Sequence, residues 1–497
     1  MTASRPQIVV TLTARTVPDV VRQIRLATEA NADVAEVRVD RLPAAERSRL
    51  AELFPSRLPL IATYRSTAEG GEGEVDAAAR APVLLELAAQ PFRWIDVELA
   101  RDTGVISRLP PADRLGRIVS CHLGAGSRPL WTVRLRELEQ AEGIGKLVVA
   151  ASVGELIRDL LPEVRRGLDE VVVHTTGASG PLLRAWGRKL GLPLVYACLP
   201  AASEAEPVEP SQIPVDRLRS FFDADELAPL FAVCGRPVGH SLSPRLHSDW
   251  MARDGRPGLY LALEFEDDQE FLDALGPLAD GGFRGLNVTH PFKAIAAESA
   301  TELGPGAEAC GAVNCLTLRD GGIQGENTDL LAILRRLEEL RASGHWDGKQ
   351  LAVLGAGGAA RATLAAARDL GAKASVYARR SEPAGRVARD FGATLGDVSH
   401  PVASGLVVHA TDVGRAPGPG LELPLAKLLR PRGFLLDWVY SPDDPTLRRA
   451  AAAASAAYED GWRLLVYQAA ASYEIWWGAR PAGEAVARAV EEGPWPG

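Results

Sequence analysis

One side chain near an apolar run in the first third of the chain could do carbonyl chemistry, and two others that end or follow nearby runs are polar in the same way as the remaining residues at such positions. They are Lys146 in GIGKLVVAAS, His122 in RIVSCHLG and Glu69 in YRSTAEGGE. Burial beside arginines favours a neutral amine, and a neutral amine adds to a carbonyl to give an iminium. Lys146 heads its apolar run, however, which is also where a solvated strand-start lysine stands. Glu36, Arg38, Asp40, Arg65 and Glu98 follow other apolar runs, and each is equally explained as a salt bridge or a capped helix.

A second group lies further on. GHSLSP, GLNVTHPFK, GAVNC and GENTDL place Ser241, Ser243, Asn287, Thr289, Lys293, Asn314 and Asp329 beside glycines. Short polar side chains at such turns suit a polyhydroxylated ligand. His240 and His247 have no third ligand and no HExxH spacing, so no metal site is expected; SLSP also reads as a helix start. LAVLGAGGAARATL has the form of a nucleotide-binding strand, turn and helix, with Gly355, Ala356, Gly357, Gly358 and Ala359 in the turn. The next strand, ASVYARR, ends in Arg379 and Arg380 with no acid to hold a ribose 2′-hydroxyl, which predicts NADP over NAD.

The elements that must position these residues fall into two halves. The first 200 residues hold eight apolar runs, QIVVTLT, DVAEVRV, LPLIATY, WIDVEL, RIVSC, KLVVAAS, EVVVHTT and LPLVYAC, most of them separated by helix-like stretches. Eight alternations predict a (β/α)₈ barrel, whose chemistry lies at the C-terminal strand ends; a doubly wound sheet is the alternative, since the connection after WIDVEL is thin. A short Pro- and acid-rich seam near 223–229 leads into the second half. A chain of 497 residues needs more than one core, and its net charge of −9 gives no footprint for nucleic acid. No run reaches membrane-spanning length and the N-terminus lacks a signal-like apolar region, so a cytoplasmic location is expected. Five scattered cysteines form no CxxC pair.

ADVAEVRVDRL (32–42), PLIATYRSTAEGGEGE (59–74), RIVSCHLG (117–124) and GIGKLVV (143–149), in this order, resemble type I 3-dehydroquinate dehydratase. The resemblance implies a barrel over residues 1–225, with Lys146 as the Schiff-base lysine, His122 as general acid/base and Glu69 supporting it. It further implies that Glu36, Arg38, Arg65 and Arg184 bind the substrate's hydroxyls and carboxylate, with Gln212 in the closing segment VEPSQ. Leu183, Val208 and Leu123 depart from the family pattern.

GRPVGHSLSP, NVTHPFK, GAVNC, GENTD, DWVY and GWRLLVYQAA resemble shikimate dehydrogenase. By this resemblance Lys293 and Asp329 handle the proton, while Ser241, Ser243, Asn287, Thr289, Asn314, Tyr440 and Gln468 bind substrate. It implies a two-lobed α/β dehydrogenase: a substrate domain at 230–330 and 460–497, and a Rossmann-like NADP domain at 331–459. Ala378-Arg379-Arg380 replaces the family's Asn-Arg-Thr, and HATDVG brings Asp412 toward the cofactor loop. Together the halves predict a bifunctional enzyme that dehydrates 3-dehydroquinate and then reduces 3-dehydroshikimate with NADPH. Three alternatives are a different Schiff-base lyase, a dehydrogenase preferring quinate, and a barrel kept only as a metabolite sensor.

Overall fold

The alternation of strand and helix has local causes. Val, Ile and Leu crowd the short runs, where branched side chains suit a pleated ribbon. The helices between them begin on capping residues. Thr16 accepts from the Asp19 N–H ahead of the helix Val17–Glu29, Asp76 accepts from Ala79 ahead of Ala77–Ala88, and Ser152 and Glu155 form a reciprocal capping box. The computed structural model describes residues 5–493 apart from 169, 201–202, 204–208, 225–227, 412, 414–424 and 441–444. Two compact units result: Met1–Pro229 with Pro257–Gly282, and Leu230–Arg256 with Phe283–Gly497.

In the first unit the eight expected strands all form. They are β1 (Gln7–Leu12), β2 (Val34–Arg38), β3 (Leu60–Thr63), β4 (Trp94–Glu98), β5 (Gly116–Leu123), β6 (Ile144–Ala150), β7 (Val171–Thr176) and β8 (Leu194–Ala197). Neighbours are parallel in the order β7-β6-β5-β4-β3-β2-β1-β8, and the pairing of β1 with β8 curls the sheet into a nearly closed barrel. The thin connection after β4 contains one helical turn, Thr103–Ile106.

The barrel interior is built in tiers. Val9, Val34, Ile61, Ile118, Val172 and Leu194 cluster at its floor, with Trp94 and Ile144 packed against them, so each strand contributes one apolar side chain. Two residues further along each strand, on the same face by the period of the pleat, stand Thr11, Glu36, Thr63, Asp96, Ser120, Lys146, His174 and Tyr196, all buried. Two residues beyond that, β2 and β4 end in Arg38 and Glu98, Arg65 follows β3, and β5 carries His122. The floor supplies the apolar burial, about 1.5–3 kcal/mol per Val, Ile or Leu, that offsets charges held above it.

The second unit holds two sheets. In one, Leu230–Gly235 runs parallel to Phe283–Val288, which pairs antiparallel with Cys315–Arg319; a hairpin to Gly322–Glu326 follows, and Glu302–Leu303 adds to that strand. The other is parallel, in the order Thr394–Leu395, Lys373–Tyr377, Gln350–Leu354, Ser404–His409, Leu429–Asp437, Ala457–Glu459. Counted along the chain that order is 3-2-1-4-5-6, the doubly wound arrangement whose ligands bind where the order reverses. The helix Trp462–Trp477 then returns to the first sheet. Trp476 Nε1 donates to the Leu316 carbonyl at 3.2 Å, and its ring occupies the space a Cβ on Gly285 would need.

Candidate active sites

Lys146 does not head its strand. The strand β6 begins at Ile144, before the apolar run is evident, so Lys146 is its third residue and faces inward in the polar tier. Its Nζ lies 3.4 Å from Glu36 Oε1 and 3.3 Å from Asp96 Oδ2, and 4.0 Å from the centroid of the Tyr196 ring. Thr11 and Thr63 each donate to Glu36 at 2.9 Å. Ser120 donates to Asp96 at 2.6 Å and Arg65 does so at 2.8 Å. Burial would raise the Asp96 carboxyl, but the Arg65 and Lys146 charges overcome it and hold it below its ordinary value.

At the rim, Glu69 Oε2 accepts from the His122 backbone N–H at 2.9 Å and meets His122 Nδ1 at 3.1 Å. Burial pulls the His122 imidazole well below its usual range, helped by the positive charges of Arg65, Lys146 and Arg38. Burial pushes the Glu69 carboxyl up to about 7, against the attraction of Arg65. Both shifts disfavour the charged forms, leaving His122 neutral and Glu69 able to exchange a proton near neutrality. Arg38 is held in a fork by Asp40, at 2.9 and 2.7 Å. Arg184 differs: its donors reach the carbonyls of Tyr196, Thr175 and Gly180 at 3.1, 2.9 and 2.7 Å, and no carboxylate lies within ion-pair distance among the described residues. Burial lowers it to about 10 against the attraction of Glu209, and the guanidinium lines the cavity where an anion could reach it. Glu36, Arg38, Arg65, Glu69, His122, Lys146, Arg184 and Gln212 all line one cavity of about 350 Å³. Leu123 lines it too and Leu183 is fully buried, whereas Val208 lies outside the described residues.

The second unit gathers its candidates as completely. Ser241, Ser243, Asn287, Thr289, Lys293, Asn314, Asp329, Tyr440 and Gln468 line a cavity of about 120 Å³. Lys293 opens the helix Lys293–Ser299, Asp329 lies in the first turn of Thr328–Ala342, and the two form an ion pair. Asn327 caps the latter helix by accepting from Leu330 at 3.1 Å and donates to the Ala312 carbonyl at 2.8 Å, which fixes where Asp329 projects. Asn287 donates to Ser472 Oγ at 2.8 Å, and Asn314 Oδ1 accepts from the Thr328 N–H at 2.6 Å.

The glycine turn sits at the carboxyl end of Gln350–Leu354, at the reversal of strand order. Gly355 has φ +120°, a conformation that favours glycine, and a Cβ there would collide with the Ala410 carbonyl. Gly357 precedes the helix Gly358–Asp369 and faces open space. Ala356 and Ala359 flank these glycines, and Ala359 also lines the cavity holding Lys293. Arg379 and Arg380 follow the next strand, Lys373–Tyr377, and are exposed. An open glycine turn at a helix N-terminus with two available guanidiniums fits a dinucleotide carrying an additional phosphate. Asp412 lies outside the described residues.

Sequence reasoning missed Thr11, Thr63, Asp96, Ser120, His174 and Tyr196 in the barrel, and Ser472 and Thr328 in the second unit. The barrel residues carried a signal: each stands two places after an apolar floor residue on its own strand. Ser472 carried none, since it reaches Asn287 across 185 residues.

Comparisons with known proteins parallel this division. Residues 8–228 match the family model of type I 3-dehydroquinase, and residues 233–316 that of the shikimate dehydrogenase substrate binding domain. A shikimate dehydrogenase (NADP(+)) of Acidiphilium cryptum is 39% identical over 275 residues, 53% of this chain and 96% of that protein. Its counterpart in Halobacterium salinarum is 38% identical over 253 residues, 50% and 93% of the two chains. Among solved structures, the dehydroquinate dehydratase and shikimate dehydrogenase of S. pombe is 23% identical, with 98% of each chain covered and a TM-score of 0.42. Shikimate 5-dehydrogenase of Thermus thermophilus, solved with NADP(H) and shikimate, is 32% identical over 53% of this chain and 99% of its own, with a TM-score of 0.47. Fold and sites thus define a two-part α/β enzyme, a barrel joined to a doubly wound dehydrogenase. The chain belongs to the shikimate dehydrogenase family and carries a type I 3-dehydroquinase domain over residues 8–228.

Proposed function

We propose that the chain catalyses two consecutive reactions, the dehydration of 3-dehydroquinate to 3-dehydroshikimate and the NADPH-dependent reduction of that product to shikimate. The functional division we assign is 1–225 for the first, with 230–330 and 460–497 binding the second substrate and 331–459 the cofactor. The observation that carries the reading is that eight candidate residues line one cavity and nine line the other.

In the barrel, Lys146 adds to the substrate C3 carbonyl and becomes an iminium. His122, oriented by Glu69, removes the C2 proton and delivers it to the departing C1 hydroxyl. Arg184, which has no carboxylate within ion-pair distance among the described residues, takes the substrate carboxylate, and Glu36, Arg38, Arg65 and Gln212 hold the hydroxyls. In the second unit the Gly355–Gly358 turn would hold NADPH, with Arg379 and Arg380 available for its 2′-phosphate, and the cofactor would supply the hydride for C3 of 3-dehydroshikimate. Lys293, paired with Asp329, gives its proton to the C3 oxygen and offsets the alkoxide charge as it forms. Ser241, Ser243, Asn287, Thr289, Asn314, Tyr440 and Gln468 orient the ring through its hydroxyls and carboxylate.

The test is to supply 3-dehydroquinate and NADPH together and follow NADPH absorbance. Steady consumption is expected, because the product of the first site feeds the second. Consumption only when 3-dehydroshikimate is supplied directly refutes the dehydratase assignment, and none with either substrate refutes the dehydrogenase assignment.

A further inference from the structure

Of the eight polar side chains in the barrel's middle tier, six bond to one another: Thr11 and Thr63 to Glu36, Ser120 to Asp96, and Lys146 to both carboxylates. The two on β7 and β8 do not join them. His174 and Tyr196 are 1% and 3% exposed and both line the cavity, yet among the described residues the Tyr196 hydroxyl has no hydrogen-bond partner and the His174 ring N–H meets only the adjacent Val173 backbone. The His174 tautomer is fixed, because its Nε2 accepts from the Tyr196 backbone N–H at 3.2 Å, which leaves the proton on Nδ1. Burial, with the nearby charges of Arg184 and Lys146, keeps this imidazole neutral, and burial keeps the phenol protonated. Two buried donors thus face the cavity beside the lysine, with the Tyr196 ring 4.0 Å from Nζ. Leaving the hydroxyl unpaired is costly unless a ligand satisfies it.

We infer that His174 Nδ1–H and the Tyr196 O–H receive the oxygen that leaves the substrate carbonyl when Lys146 forms its iminium. The inference rests on the Schiff-base role of Lys146. As the Nζ–carbon bond forms, the carbonyl π pair moves onto oxygen, and the two donors hold that oxygen through the carbinolamine. Glu36 and Asp96 take two protons from the nitrogen in turn, one from the ammonium before attack and one from the carbinolamine nitrogen after it, and both pass to the oxygen. The C–O bond then breaks and releases water, while the nitrogen pair closes the C=N bond. Ammonium and ketone become protonated iminium and water, so atoms and charge balance without another reactant.

Rapid mixing with 3-dehydroquinate, quenched at intervals with borohydride and read by protein mass, measures iminium formation directly. In Tyr196→Phe the trapping rate should fall on the order of tenfold or more. Any isotope effect from deuterium at C2 should shrink toward unity as iminium formation comes to limit turnover. The thermal midpoint should hold or rise, since an unpaired buried hydroxyl is gone. His174→Gln, which keeps an N–H donor, should retain more of the rate than His174→Leu. Wild-type trapping rates in Tyr196→Phe and His174→Leu would overturn the inference while leaving Lys146 in its role. Failure of the unmutated protein to trap any substrate would overturn the Schiff-base reading itself, and this one with it.

Discussion

Replacing Gly358 with alanine should slow the dehydrogenase while stabilising it. A Cβ at 358 would lie 2.9 Å from Lys293 Cδ, in the middle of the side chain proposed to carry the transferred proton. Ordinary carbon–carbon contact is about 3.5–4.0 Å, so the lysine stem must retreat by roughly 0.6–1.1 Å. That displacement draws Nζ from its position beside Asp329. A misplacement of about 1 Å in a reacting group costs on the order of 10²-fold in rate. The kcat for shikimate oxidation should therefore drop about 10- to 100-fold. The helix should not suffer: Gly358 is its first residue, no left-handed φ is required there, and Ala is favoured over Gly by roughly 0.5–1 kcal/mol. Gly357→Ala is the control, because a Cβ at that position has nothing within 4 Å, so Lys293 stays in place and any loss falls on the KM for NADP⁺. Steady-state kinetics with varied shikimate and NADP⁺, alongside thermal unfolding, separate the two. A Gly358→Ala protein with wild-type kcat, or with its loss confined to cofactor KM, would refute the argument.

Further outcomes follow from the same geometry. Lys146→Ala should abolish the mass added by borohydride with substrate present, and labelling that persists would place the Schiff base on another lysine. Lys293→Ala should lower kcat for shikimate oxidation by about 10²-fold or more with NADP⁺ affinity little changed, as measured by cofactor titration. Arg379→Ala should weaken NADPH about tenfold, or ~1.4 kcal/mol, without weakening NADH; equal losses for both would exclude a 2′-phosphate contact. The Glu69 carboxyl rises from 4.5 to about 7 on folding, so its protonated form contributes stability below pH 4.5 that disappears as pH climbs through about 7. Glu69→Gln should remove that dependence, gaining up to about 3 kcal/mol relative to the unmutated protein across the window; parallel plots of thermal midpoint against pH would contradict this.

The architecture was readable where periodicity was strong. All eight barrel strands coincide with apolar runs, because a strand packed on both faces must be apolar over most of its length. Lys146 was harder to place: Gly145 and Lys146 do not look like strand, yet backbone pairing with Val171 and Val172 extends β6 over them. The tiered interior is invisible to any local window, since it joins one residue from each of eight segments spread over nearly 190 positions. In the second unit the motifs delivered the cavity's polar lining residue by residue. The supporting bonds, such as Asn287 with Ser472, required the last long helix to fold back, which no spacing in the sequence encodes.

The two-residue offset between the barrel's apolar floor and its polar tier makes register self-checking. Were a strand to slip by one place, its floor residue and its catalytic-tier residue would rotate outward together, exposing apolar surface and pulling a charge from its partners. An incorrectly threaded barrel would then be unstable as well as inactive. Molecules that survive proteolysis in the cell should therefore be those whose sites are fully assembled, and soluble yield becomes a measure of active-site content.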